Sequence, residues 1–168
     1  MTIAHSAKAR IFEDIRNGND YACLYGNGHP RLLSTSEHFE YELVHFAGPY
    51  VAYVQNIEAV DDDVGVTNMS TGHTSIFQEL VRPIEHAVCA KAESLVLKPD
   101  GAVAWIATNF LAEGCEHPPT GVVEVRAHDK HGLRTIEASA TIAPKSLCLT
   151  GSTLRWMNGA LARTATLY

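Results

Sequence analysis

The sequence predicts an all-β fold, propeller-like, built from about three four-stranded repeats of roughly 51 residues each. Three observations carry that expectation. First, short β-branched or aromatic runs alternate with Gly, Asn, Asp and Pro every eight to twelve residues, and helical periodicity is nearly absent. Second, "ELVHFAGPYVAYV" (42–54), "SLVLKPDGAVAWI" (94–106) and "SLCLTGSTLRWM" (146–157) share one pattern: a leucine, an apolar residue two on, a turn with glycine, and a strand ending in an aromatic. Leu43, Leu95 and Leu147 are 52 and 52 residues apart, and Tyr53, Trp105 and Trp156 are 52 and 51 apart. Third, hairpins of a second kind, "DVGVTNMSTGHTSIFQ" (63–78) and "VVEVRAHDKHGLRTIEA" (122–138), lie between these copies.

The elements follow in order. Residues 1–8 are expected to be a flexible end, and 9–168 a single propeller-like domain. "DYACLYGNGHPRLLS" (20–34) has the form of the second hairpin type and precedes the first full copy. Pro83 breaks the one helix-like stretch, leaving room for a short turn or helix around Ile84–Lys91. In 94–107 the alternation stops at Pro99-Asp100-Gly101 and resumes after it, which is a hairpin with its turn near Asp100. "GALARTATLY" supplies a last strand. "ARIFEDI" or "YACLY" is expected to pair near "ARTATLY", so that the two ends share one sheet. A lone four-stranded sheet cannot cover both its faces, whereas stacked copies bury one another's, and Tyr53, Trp105 and Trp156 then fill the gaps between blades. Three repeats fall short of the four to eight blades of a propeller. The alternatives are a ring completed by several chains, an open β-arc, or a β-trefoil, which also uses three four-stranded repeats.

Composition narrows the partners. The chain has 168 residues, 46% hydrophobic and 19% charged, as a folded domain requires. A net charge of −6 without a basic block argues against nucleic acid or an anionic membrane as the main partner. No apolar run approaches the roughly 20 residues of a membrane helix, so membrane insertion is not expected. "MTIAHSAKAR" holds no hydrophobic signal core, which fits either a cytosolic chain or the mature part of an exported one. The four cysteines include no C-x-x-C pair. The register of the 94–107 hairpin places Cys89 opposite a residue near 111, within a short loop of Cys115. A Cys89–Cys115 disulfide is therefore expected, with Cys23–Cys148 following by default. The alternative is four reduced thiols in a cytosolic protein.

"RIFEDIRNGNDYACLY", "FAGPYVAYV", "LVLKPDGAVAWIA" and "SLCLTGSTLRWMNGALARTATLY" together resemble a group of small uncharacterised secreted proteins of actinobacteria with TolB-like propeller repeats. The resemblance runs from about residue 9 to the end. It implies a propeller-type fold and an extracellular, mature chain without its signal peptide, and it brings no catalytic residue. The segment 109–120, "NFLAEGCEHPPT", and the nine histidines depart from it.

Chemistry-bearing motifs are sparse. No Gly-rich phosphate loop, nucleophile elbow or H-E-x-x-H is present. In "CEHPP", Cys115, Glu116 and His117 share a loop expected near Cys89 and His86, and a disulfide-pinned loop is favoured there over a metal site. Asp61-Asp62-Asp63 lacks the alternating pattern of a Ca²⁺ loop and reads as a solvated turn. His29, His73 and His131 fall at or beside the turn glycines of the aligned outer hairpins, with His128 close by. If the repeats are equivalent, His29, His73 and His131 project from one rim and, with Glu116 and His117, are the ligand-binding candidates, against the commoner reading that a glycine turn simply tolerates polar residues. His38, Glu40, Glu42 and His45 are close in sequence but split between two strand faces. No base and orienting partner stand out, so no catalytic residue, cofactor or metal is assigned. The expected function is a secreted non-catalytic module binding a protein, glycan or small ligand through its loops. The alternatives are a self-assembling homo-oligomer that completes a ring, and an extracellular hydrolase or lyase.

Overall fold

The computed structural model describes residues 1–26, 29–34, 40–57, 61–77, 89–110 and 122–168. Among them are fifteen strands and no helix. The first sheet is β1 (Thr2–His5), β2 (Ala9–Asp14), β3 (Asn19–Leu24) and β4 (Arg31–Ser34), paired in that order. An eight-stranded sheet follows, composed of two antiparallel meanders. One is β5 (Glu40–Ala47), β6 (Tyr50–Ile57), β7 (Asp61–Asn68) and β8 (Thr74–Phe77). The other is β9 (Cys89–Leu97), β10 (Val103–Phe110), β11 (Val123–Asp129) and β12 (Gly132–Ser139). A parallel pairing of Asp61 with Ala90 joins them. The last sheet is β13 (Cys148–Thr150), β14 (Thr153–Asn158) and β15 (Leu161–Thr166). The two meanders are treated below as the second and third sheets, and β13–β15 as the fourth.

Period-two alternation gives every sheet two distinct faces, and these faces stack in chain order. Ala9, Ile11 and Ala22 of the first sheet pack against Val51, Tyr53 and Met69 of the second. The opposite face of the second sheet, with Ala52, Val54, Val64 and Val66, packs against Leu95, Leu97, Val103 and Trp105 of the third. Ala104, Ile106, Val125 and Ala127 then meet Leu154, Trp156 and Leu167 at the fourth. The rule is regular: a face of small aliphatic residues receives an aromatic from the next sheet. Tyr53, Trp105 and Trp156 are all buried, as their spacing predicts.

The stack is open. Among the described residues no apolar cluster joins the first sheet to the fourth, and no closed barrel or propeller ring forms. Nor do the chain ends share a sheet, because β1–β4 and β13–β15 each pair only among themselves. The fourth sheet turns Leu154 and Trp156 toward the third, which commits it there. There are four sheets rather than three repeats, and the missed hairpin is β1–β2. Residues 1–8, expected as a flexible end, contain β1, which pairs with Arg10–Phe12 of β2. Its turn holds no glycine, so it escapes the pattern of the other copies. Instead the Ser6 hydroxyl accepts hydrogen bonds from the Lys8 and Ala9 N–H groups.

Two turns illustrate the local chemistry. The predicted hairpin at 94–107 is β9–β10, and Gly101 closes its turn at φ 92°, a left-handed conformation that glycine adopts without strain. Within the second sheet Gly65 lies directly opposite Tyr53, and a Cβ there would sit 2.3 Å from the Tyr53 Cε2. The fully buried phenol thus lies over a strand glycine and occupies the space of its missing side chain. Gly65→Ala is expected to lower stability by about 1–3 kcal/mol through overpacking. A denaturant midpoint checks it, and Tyr53→Leu in the same chain should recover part of the loss.

Three further expectations change. Cys23 and Cys148 are free thiols, lying on the first and fourth sheets with two sheets between them, so the Cys23–Cys148 disulfide does not form. Cys89 does pair in register opposite Phe110, but Cys115 lies outside the described residues, and with it the Cys89–Cys115 pairing. The helix expected around Ile84–Lys91 gives way at its end to β9, its earlier residues lying outside the described ones. Asp61-Asp62-Asp63 opens strand β7 rather than forming a solvated turn. Asp62 and Asp63 are buried, and the Asp62 carboxylate accepts hydrogen bonds from the Ala92 N–H (2.9 Å) and the Asn56 amide (3.0 Å). Burial pushes the Asp62 carboxyl above its ordinary range, although these hydrogen bonds pull the other way.

Candidate functional site

Strand direction decides where the functional side chains gather. In each of the first three sheets the second strand returns from the first and the fourth from the third, so both of those hairpin turns lie at one end. Contacts between sheets show that these ends share a rim. The Arg31 guanidinium donates to the Ser70 carbonyl at 2.7 Å, Gly48 abuts Pro99, and Lys98 Nζ donates to the Leu167 carbonyl at 3.1 Å. His29, His73 and His131 lie at the β3–β4, β7–β8 and β11–β12 turns, the equivalent positions the sequence predicts. All three are exposed.

Only part of that set converges. A cleft of about 280 Å³ opens on the rim between the second and third sheets, and Tyr50, Asn68, His73, Phe77, Asp100 and His128 line it. The β7–β8 turn is fixed by Asn68, whose side-chain oxygen accepts from the Ser70 and Thr71 N–H groups at 2.9 and 3.2 Å. Its backbone N–H donates to the His73 carbonyl at 2.9 Å. These bonds aim His73 at the cleft. On the other wall the His128 ring lies 4.6 Å from Phe77, which itself stacks on Trp105. The cleft is therefore anchored in the core between the two sheets.

Asp100 is the acid of the cleft. Partial burial works to raise its carboxyl, but the hydrogen bonds from Lys98 and the Ala102 N–H outweigh it and hold the group below the usual carboxylate range. It is a paired anion at neutral pH. Among the described residues the cleft lining holds two imidazoles, His73 and His128, and the Asp100 carboxylate. What the cleft offers is hydrogen-bonding edges beside aromatic surface, the composition of a binding site.

His131 stands apart, edge-on to Tyr168 at 4.7 Å, with Lys130 Nζ 4.9 Å from the same ring. His29 lies at the β3–β4 turn of the first sheet and does not line the cleft. The described residues hold no group of three His, Cys, Asp or Glu able to bind a metal ion. Glu116 and His117, with Cys115, lie outside the described residues, as do His38 and His86. Contrary to the expected split between two faces, a bulge between Glu42 and His45, with Leu43 at φ 47°, sets Glu40, Glu42 and His45 opposite Asn56, Val54 and Ala52 on one face of the second sheet, and His38 lies outside the described residues. A larger cleft of about 380 Å³ at the seam of the third and fourth sheets is spoken for by its own lining. There Glu137 accepts from Trp156, Asn158 and Arg163. The sequence pattern missed Tyr50 and Asp100. Both sit at inner turns: β6–β7 pairing sets Tyr50 opposite Asn68 beside the β7–β8 turn, whereas Asp100 reaches His73 only because the third sheet stacks on the second. Neither a family model nor a curated protein matches the chain.

Proposed function

We propose that this protein is a non-catalytic binding module of propeller-type sheets in an open stack, and that it receives its ligand on the turn-bearing rim. The observation that carries the reading is the cleft at the second and third sheets, where His73 and His128 present imidazoles beside Tyr50 and Phe77. Rigid stacked sheets holding short turns are a scaffold on which loops do the binding. Ring completion by further copies is less favoured. The equivalent aromatic of the first sheet, Phe12, needs a face of small aliphatic residues opposite it. The outer face of the fourth sheet offers exposed Thr153, Arg155 and Met157 instead.

Imidazole-detected NMR on the full chain tests the binding reading against a mixed panel of oligosaccharides, peptides and metabolites. The expected result is a ligand that shifts the His73 and His128 resonances together and leaves His45, which does not line the cleft, unmoved. Ligands that shift residues only at the opposite end of the stack, or a panel without hits, would remove the reading.

A further inference from the structure

The polarity of the whole molecule bears on what that rim accepts. Although the net charge is −6, the two ends of the stack differ sharply. Strand positions put Lys8, Arg31, Lys98, Lys130 and Arg134 at or next to the rim, together with His5, His29, His73, His128 and His131. The rim carboxylates among the described side chains, Asp100 and Asp129, are ion-paired with Lys98 and Arg134, so those pairs cancel and Lys8, Arg31 and Lys130 carry the rim's net positive charge. Toward the opposite end lie Glu13, Asp14, Asp20, Glu40, Glu42, Asp62, Asp63, Glu93, Glu124 and Glu137, against Arg16, Lys91, Arg126, Lys145 and Arg163. A basic rim on an acidic body focuses attraction on one surface.

Aromatic rings punctuate the rim beside these cations. Tyr25, 52% exposed, follows β3 and its N–H donates to the Lys8 carbonyl at 2.8 Å. Tyr50 lines the cleft with His73 and His128. Tyr168, 48% exposed, carries Lys130 at 4.9 Å and His131 at 4.7 Å. Three aromatic stations, each with a cation or imidazole next to it, thus follow one another from the first sheet to the third. A flat amphipathic ring suits the C–H face of a sugar, and the adjacent cation suits a charge on it.

We propose that the rim binds an extended acidic oligosaccharide, with uronate or sulfate groups on the cations and sugar faces on Tyr25, Tyr50 and Tyr168. This rests on the rim-binding reading above and names its ligand class. Asn68 and Thr71 at the cleft supply neutral hydrogen bonds to hydroxyls, and the positive stations order the polymer along the stack. At the opposite end acids outnumber cations, so the dipolar charge distribution favours the rim for an acidic polymer and selects its orientation as well as its affinity.

Calorimetric titration of the full chain tests it with three probes: oligogalacturonate of about ten residues, a neutral galactan oligomer of the same length, and inorganic tripolyphosphate. The acidic oligomer is expected to bind at least about tenfold more tightly than the neutral one, with affinity falling as salt is raised. Lys8→Glu with Lys130→Glu should weaken it by about tenfold or more. Lys91→Glu with Lys145→Glu, the same charge change at the other end, should move it less than about twofold. Thermal midpoints of both double variants establish that each is folded. Equal losses from the two double variants would make net charge the cause and overturn the proposal. Equal binding of the neutral oligomer would overturn the acidic class while leaving the rim-binding reading standing. Tripolyphosphate competing at equal charge would make the ligand a phosphate and overturn the saccharide. Silence from all three probes would overturn it too, and the imidazole experiment decides separately whether the rim binds anything.

Discussion

Trp105→Ala is expected to lower stability by about 3–5 kcal/mol, the range for emptying a buried aromatic site in a core. Trp105 is fully buried at the centre of the stack, its ring stacked on Phe77 at 5.7 Å with the Arg126 guanidinium 6.0 Å away. Removing it opens a void between Val54, Val66 and Leu95 that hydrogen-bonded strands cannot collapse to fill. At this chain length the change amounts to roughly 2–4 °C of melting temperature per kcal/mol. Trp156→Ala makes the informative comparison. Trp156 serves the seam between the third and fourth sheets, at one end of the stack. In a linear array each unit leans only on its neighbours. Hydrogen exchange should therefore rise across β13–β15 in Trp156→Ala and stay low in β6 and β10, whereas Trp105→Ala should loosen the two central sheets together. Identical exchange patterns from the two variants would mean that the stack unfolds as one unit and that the seams are not separable.

The same linear logic explains what the sequence made legible. Seam-filling aromatics must recur at the period of the unit, so Tyr53, Trp105 and Trp156 announced the second to fourth sheets. Phe12 occupies the equivalent place in the first: it is three residues past the closing residue of its turn, as are the other three. It went unread because β1 is short and turns on Ser6 instead of glycine. The hairpin at 94–107 and the outer hairpins were legible because alternation and turn chemistry are local. Closure of the ring was not, because it depends on faces that never adjoin in sequence. The rows Phe12–Tyr21–Leu32 on the first sheet and Arg155–Thr164 on the fourth bear on that question only once pairing assigns each residue to a face. The candidate site divides in the same way. Turn position placed His29, His73 and His131 on one rim, but the separation of His73 from His131 required the stacking order. The Cys23–Cys148 pairing, reached by elimination, failed because elimination ignores that two sheets stand between.

Asp129→Ala is expected to lower stability at neutral pH by about 2–4 kcal/mol. The Asp129 side chain is fully buried and accepts hydrogen bonds from Arg134 and from the His131 and Tyr168 N–H groups, the latter two at 2.9 Å. It therefore ties the β11–β12 turn to the segment that follows β15. The full penalty of a stranded buried charge does not apply, because the Arg134 side chain is 29% exposed and regains water. Burial works to raise the Asp129 carboxyl, but the hydrogen bonds from Arg134, Tyr168 and His131 prevail and hold it far below the ordinary carboxylate range. A folded-state value below the unfolded one favours the folded state wherever the unfolded carboxyl is ionised, above about pH 4. That contribution declines as pH falls below this value toward the folded one. The stability difference between the parent chain and Asp129→Asn should accordingly be level from pH 7 to about pH 5 and shrink steadily below pH 4. Urea unfolding at each pH measures it. A difference that stays constant down to pH 2 would mean the carboxylate's charge contributes nothing, leaving only the shape of the hydrogen-bonded turn.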